Sequence, residues 1–226
     1  VIKKQKFGKC AACGIETELT REHVPPQNLF LSPRPTNTIT TWTCAKCNKE
    51  TELDDEYFRL FVTVGAEPET RAGQLWAEKV VGSTFTRSPA LKNQLQIDLV
   101  KLRQRHKTQP LQTYDGEIVA DDVVDQCIML DASRIKRVAE KIVRCLHFHH
   151  HSTSLPQDLV FEFSVAPLGP PKLEQIIRDR KGLVGGENGE FIYWYQFNDQ
   201  SRFSSEWVLL FYLKNCITVT TEQRQA

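Results

Sequence analysis

The alternation of apolar and polar residues predicts a short strand over 19–24, a proline-punctuated loop over 25–36, and a strand over Thr38–Thr43, where β-branched residues alternate with Trp42. A helix is expected from about Asn48 to Val64, with Leu53, Tyr57, Leu60 and Phe61 on one face. Residues 68–82 and 89–106 read as helices, the second carrying Leu91, Leu95, Leu99 and Leu102 at three- and four-residue spacing. Residues 111–130 read as extended, with a Tyr-Asp-Gly turn at 114–116. The clearest amphipathic pattern covers 132–147, where Ile135, Val138, Ala139, Ile142, Val143 and Leu146 make one stripe. Strands are expected over 159–165, 191–197, 207–213 and 216–220, interrupted by a short helix near 172–180 and a glycine-rich turn over 185–189. The expected fold class is α+β. A strand–loop–strand–helix unit over residues 1–65 is followed by a helical connector over 66–107 and an α+β domain over 108–226.

Composition changes this picture in two places. The 226-residue chain is 40% apolar and 25% charged, which is enough for a buried core and argues against global disorder. Its net charge is only +1, yet residues 1–50 carry eight Lys/Arg against four Glu, and residues 79–107 carry seven Lys/Arg against Asp98 alone. Such local patches can bind phosphate although the whole chain is neutral. With no signal peptide and no apolar run of about 18 residues, a membrane role is not expected and a cytoplasmic location is.

The seven cysteines include two matched pairs, CAAC at 10–13 and CAKC at 44–47. In a reducing compartment two such pairs read as metal ligands rather than disulfides. Cys10, Cys13, Cys44 and Cys47 supply the four thiolates of a tetrahedral structural zinc site, which leaves the ion no open position for catalysis. A unit of this size needs such a staple. The 30 residues between the pairs carry the reactive groups, in the stretch TREHVPPQNLF. His23 can take a proton from water near neutral pH. Glu22 is a hard oxygen ligand suited to Mg²⁺ or Mn²⁺, and Asn48, directly after Cys47, offers another. Base, metal ligands and a helix N-terminus that favours phosphate are the parts phosphodiester hydrolysis requires.

The order CxxC, Glu-His, Asn, CxxC-Asn resembles the HNH nucleases of the ββα-metal fold, in the subset with a four-cysteine zinc knuckle. The chain is most similar to a branch of small bacterial HNH proteins reading EHVPP…CxxCN…DDEYFR, matched here by Glu22–Pro26, Cys44–Asn48 and Asp54–Arg59. The resemblance covers about residues 8–62. It implies His23 as general base, Glu22 and Asn48 as ligands of a catalytic Mg²⁺ or Mn²⁺, and zinc on the four cysteines. The family's middle Asn falls on Ile39 by spacing. Asn37, two residues earlier on the same strand face, takes the role of orienting His23. The resemblance further implies DNA rather than RNA as substrate, in a restriction or antiphage setting, with homodimerisation or an effector partner protein left open.

Around this core several residues keep two readings. Glu52 and Asp55 fall four and seven residues after Asn48, so Asp55 either extends the metal site or is a solvated helix residue. Arg21, Lys46, Lys49 and Arg59 are the candidate nucleic-acid contacts, Arg59 reaching either a phosphate or Asp55. His147, His149, His150 and His151 either bind metal or complement a helix C-terminus. Tyr193-Trp194-Tyr195 and Trp207 either stack bases or fill a core. Cys127, Cys145 and Cys216 read as buried small hydrophobes. The rival to the nuclease is a non-catalytic zinc-knuckle module that binds nucleic acid or protein.

Overall fold

A computed structural model describes residues 6–36, 38–110, 118, 131–167, 184–185, 189–198 and 201–223. Asn37, Cys127, the turn at 114–116 and the helix expected near 172–180 lie outside the described residues. The chain divides into two compact units, Val1–Phe58 with Ser133–Ala226, and Arg59–Ala132. The first unit thus draws on both ends of the sequence, whereas boundaries near 65 and 107 were expected.

It begins with a three-stranded antiparallel sheet of β1 (Lys6–Lys9), β2 (Glu16–Val24) and β3 (Ile39–Cys44), in that order. A tight turn joins β1 to β2: Gly14 donates to the Cys10 carbonyl at 2.8 Å and holds φ at +74°, which glycine adopts without steric cost. β2 pairs with β3 so that Glu22 lies opposite Thr41 and His23 opposite Thr40. The chain passes directly from β3 into α1 (Ala45–Glu50), breaks at Thr51, and continues as α2 (Glu52–Thr63). The helical stretch starts three residues earlier than the apolar pattern predicts, because the Cys44 sulfur caps it, accepting the Cys47 N–H at 3.4 Å. Strand, strand, helix with thiols at the joints is the arrangement the pattern anticipated.

The second unit is helical. It takes the end of α2, then α3 (Arg71–Leu75), a π-helical stretch over Trp76–Thr84, α4 (Phe85–Arg87) and α5 (Pro89–Thr108). Arg59 is buried here and donates to Thr84 Oγ1 at 2.5 Å, while Thr84 itself donates to the Lys79 carbonyl five residues back.

Returning to the first unit, α6 (Ala132–His151) lies against an antiparallel sheet of β4 (Val160–Pro167), β5 (Val184–Gly185), β6 (Phe191–Asn198), β7 (Ser201–Phe211) and β8 (Asn215–Glu222), ordered β4-β8-β7-β6-β5. Alternate residues of β6 and β7 point inward. Phe191, Tyr193, Trp207 and Phe211 are almost completely buried, and Phe58 of α2 meets Phe211 edge-on at 5.2 Å. The aromatic strands are therefore core at Tyr193 and Trp207 rather than a platform for bases. The histidines pack on the same layer. His150 Nε2 lies 3.0 Å from the Tyr193 hydroxyl, and His151 meets Phe197 edge-on at 4.4 Å. Burial pulls His150 down to about 4, so it stays neutral in that contact. Cys145 and Cys216 are buried, as expected of small apolar residues. No helix of the described residues is long and apolar enough to cross a membrane.

Trp207 is the largest fully buried side chain. Its ring stacks on Tyr195 at 4.8 Å and its indole N–H donates to Ser205 Oγ at 2.8 Å. Trp207→Ala should cost about 3–5 kcal/mol of folding stability and lower the thermal midpoint by roughly 10 °C, read by circular dichroism.

Candidate functional site

Two centres lie on the N-terminal sheet and the helix that follows it. The first is the thiol cluster. The Sγ atoms of Cys10, Cys13, Cys44 and Cys47 all lie within 4.8 Å of one another, with Cys13 and Cys44 at 3.9 Å. A tetrahedral ion with bonds of about 2.3 Å sets its sulfurs about 3.8 Å apart, so the donor set and spacing are compatible with structural zinc. Among the described residues no other group of three or more His, Cys, Asp or Glu is arranged in this way. The backbone prepares the site: Cys10 Sγ accepts the Cys44 N–H at 3.2 Å, and the α1 N-terminus faces the second pair. The Cys47 hydrogen bond holds the Cys10 thiol down to about 4 against the cost of burial, and the same bond raises Cys47. Residues after α6 brace the first pair. Ser154 Oγ donates to the Cys10 carbonyl at 3.1 Å and Gln157 to the Ala12 carbonyl at 3.2 Å.

The second centre surrounds Glu22 and His23. As neighbours in a strand they project to opposite faces, and their surroundings differ accordingly. His23 is partly exposed near the end of β2. Burial first, then the charges of Arg21 and Arg34, hold its pKa below the ordinary imidazole value. Arg21 is exposed, two residues back on the same face, and its guanidinium donates to Thr40 Oγ1 at 3.4 Å, the residue paired with His23. The result is a neutral imidazole beside guanidinium groups.

Glu22 faces inward and is only 6% exposed. Its Oε1 lies 2.8 Å from the Lys141 ammonium of α6, which also donates to Thr51 Oγ1 at 2.8 Å and stands 3.6 Å from Asp55 Oδ2. Asn48 is engaged as well, its amide N–H donating to Thr20 Oγ1 at 3.1 Å. Hence Glu22 and Asn48, expected as ligands of a catalytic Mg²⁺ or Mn²⁺, do not offer that ion a ready place: an ammonium already sits on the Glu22 carboxylate. Asp55, expected either on the metal or in solvent, is in neither position. It is buried beside Lys141, and desolvation pushes its carboxyl up to about 7 although Lys141 opposes this. Next to it, Asp54 is held by Arg134 at 2.7 Å and Arg137 at 2.6 Å, and these pairings outweigh burial to keep its pKa low.

Of the expected nucleic-acid contacts, Arg21, Lys46 and Lys49 are on the surface, whereas Arg59 is turned inward to Thr84. Lys141 is the residue the sequence reading missed. Its signal was present: Arg134, Arg137, Lys141 and Arg144 recur at three- and four-residue spacing on α6, a basic stripe complementary to Asp54 and Asp55.

Asp55 gives a pH test. Its folded pKa lies above the unfolded value, so between about pH 4 and pH 7 the native state holds more protons than the unfolded state, and stability falls as pH rises through that window. Asp55→Asn should flatten the slope, measured by urea unfolding at pH 5 and pH 8.

Comparison with family models, with curated proteins and with solved structures finds no match to this chain.

Proposed function

We propose that the chain is an endonuclease of the HNH type that hydrolyses phosphodiester bonds of DNA, with zinc on Cys10, Cys13, Cys44 and Cys47 as its structural staple and His23 as its general base. The observation that carries this reading is the surface at the end of β2, where a half-exposed imidazole with a lowered pKa sits among Arg21 and Arg34 on a hairpin that runs through the thiol cluster into a helix. A neutral imidazole can remove a proton from water at pH 7. The guanidinium groups that depress its proton affinity would equally attract a phosphodiester anion and oppose the charge gathering on it as water adds to phosphorus. The proton lost by water passes to His23, and the P–O bond to the 3′-oxygen breaks. Exposed Lys46 and Lys49 on α1 extend the positive surface for the strand.

The test is incubation of zinc-loaded protein with supercoiled plasmid in Mg²⁺, in Mn²⁺ and in cation-free buffer, parent against His23→Ala. Cleavage by the parent that is lost in the variant, with zinc content unchanged, supports the proposal. Equal cutting by both, or cutting by neither, overturns it. DNA retention without cutting in both would favour the non-catalytic zinc-knuckle module.

A further inference from the structure

We infer that Trp42 is a stacking platform that seats an unpaired base of a single-stranded DNA segment beside His23, with Lys6 and Arg21 holding the adjoining phosphates. Residues directly paired across a sheet share a face, and so do residues two apart along a strand. The pairings Lys6 with Leu19, Leu19 with Cys44, Arg21 with Trp42 and His23 with Thr40 therefore put Lys6, Arg21, His23 and Trp42 on one face of the N-terminal sheet. The Lys6 ammonium bears this out, lying over the partly exposed Trp42 ring at 4.8 Å from its centroid. Charge divides by face as well. Glu16, Glu18 and Glu22 alternate with these residues along β2 and project to the opposite side. The His23 face thus carries Lys6 and Arg21 and, among the described strand residues, no carboxylate. Arg34 adds to it, close enough for its charge to act on His23.

A cationic surface around an accessible indole is what a single strand needs: phosphates meet the charges and one base meets the ring. The ring face now seats an ammonium, and a base can take that seat while Lys6, on its flexible stem, turns to the neighbouring phosphate. Arg21 stands directly across from Trp42 and about 6.6 Å along β2 from His23, so the stacked nucleotide and the phosphate at His23 are neighbours. A base inside a duplex is already stacked on both sides and offers the ring no face until it is extruded. A second copy of this chain meeting the sheet face to face would set Lys6 and Arg21 against like charges. The inference rests on the nuclease reading and narrows it: His23 acts beside an unpaired base.

The experiment reads binding without cleavage. Zinc-loaded His23→Gln protein, alone and with a second change, is titrated into a fluorescein-labelled DNA strand of about 20 nucleotides and into its duplex, followed by anisotropy at several salt concentrations. Trp42→Leu keeps an apolar side chain but no π-face. It should weaken single-strand binding about 5- to 150-fold, the range for one base on one ring, and change duplex binding less than about 2-fold. Trp42→Phe should stay within about 3-fold of the protein with Trp42. Neither should alter the salt dependence, whereas Lys6→Ala should lower the single-strand salt slope by about 0.7. Irradiation with a bromouracil-substituted strand should join that strand to the peptide carrying Trp42, a readout that stands even where Trp42→Leu does not fold. Unchanged single-strand binding by Trp42→Leu, an equal loss on strand and duplex, or a cross-link that bypasses Trp42 overturns the inference. Absent cleavage with stacking intact overturns the nuclease reading alone. Cleavage by a protein whose single-strand binding ignores Trp42 overturns this inference alone.

Discussion

Stripping the metal from the thiol cluster should unfold the β2–β3–α1 hairpin and abolish cooperative melting of the unit it belongs to. Mass spectrometry of the purified protein should find one zinc per chain, and a strong chelator should remove it together with the near-ultraviolet signal of Trp42, which lies on β3 two residues before Cys44. The expected size of the effect follows from the site. Structural zinc contributes on the order of 10–16 kcal/mol in small zinc-dependent folds, comparable with the whole stability of a domain. β1 is largely exposed and β2 buries only two apolar side chains, Leu19 and Val24, so the two strands offer little apolar burial of their own. Cys44→Ser should be among the most damaging single changes, because it removes a ligand and alters the cap of α1 together. Cys145→Ala, at a buried cysteine outside the cluster, should leave zinc content unchanged. A purified, folded protein without zinc would remove the staple from the account.

Replacing His23 should reduce cleavage about 10²–10⁴-fold, the range a positioned general base contributes. The pH profile carries more information than the loss. With the folded pKa below 6.5, the imidazole is already neutral at pH 7, so the rate should be flat there and fall only as pH drops through the lowered pKa. Arg21→Ala removes one of the two charges that depress the pKa and should move this acid limb toward higher pH, in addition to weakening DNA binding. A structural histidine would produce no such displacement. His23→Gln, which preserves size and polarity but has no proton to exchange near neutrality, should be as inactive as His23→Ala while melting like the parent.

The hydrophobic pattern locates elements well where burial follows the period and poorly where it does not. The strand expected over 38–43 is found over Ile39–Cys44, and the stripe over 132–147 lies on a helix running to His151. The extra turn forms because His147, His150 and His151 pack on Tyr193, Tyr195 and Phe197, a tertiary stabilisation that no local propensity reports. β1 was not anticipated, since Lys-Phe-Gly-Lys has neither apolar alternation nor β-branched residues, and pairing with β2 alone makes it a strand. β7 starts at Ser201, ahead of the expected 207, because Ser205 exchanges hydrogen bonds with Thr221 where the pattern shows only polar residues. At the site, the cysteine spacing was enough to bring four sulfurs together. Glu22 and His23 were legible as a pair of reactive groups but not as a pair on opposite faces. Lys141 was legible as one of a basic stripe but not as a buried partner of Glu22, because a basic residue on an amphipathic helix looks solvated until its partners are known, and Thr51 lies 90 residues earlier in the chain.

The contacts from Ser154 and Gln157 to the carbonyls of Cys10 and Ala12 have a consequence for biosynthesis. A nascent chain that has released only its first 58 residues from the ribosome lacks α6, the second sheet and both of these braces. At about 5–20 residues per second, residue 157 follows residue 58 by on the order of 5–20 s. Through that interval the cysteines are free to exchange ligands, Glu22 and Asp55 have no ammonium to share, and the surface at the end of β2 is unsupported. The hairpin is therefore completed only by a segment that arrives after the helical unit has already emerged.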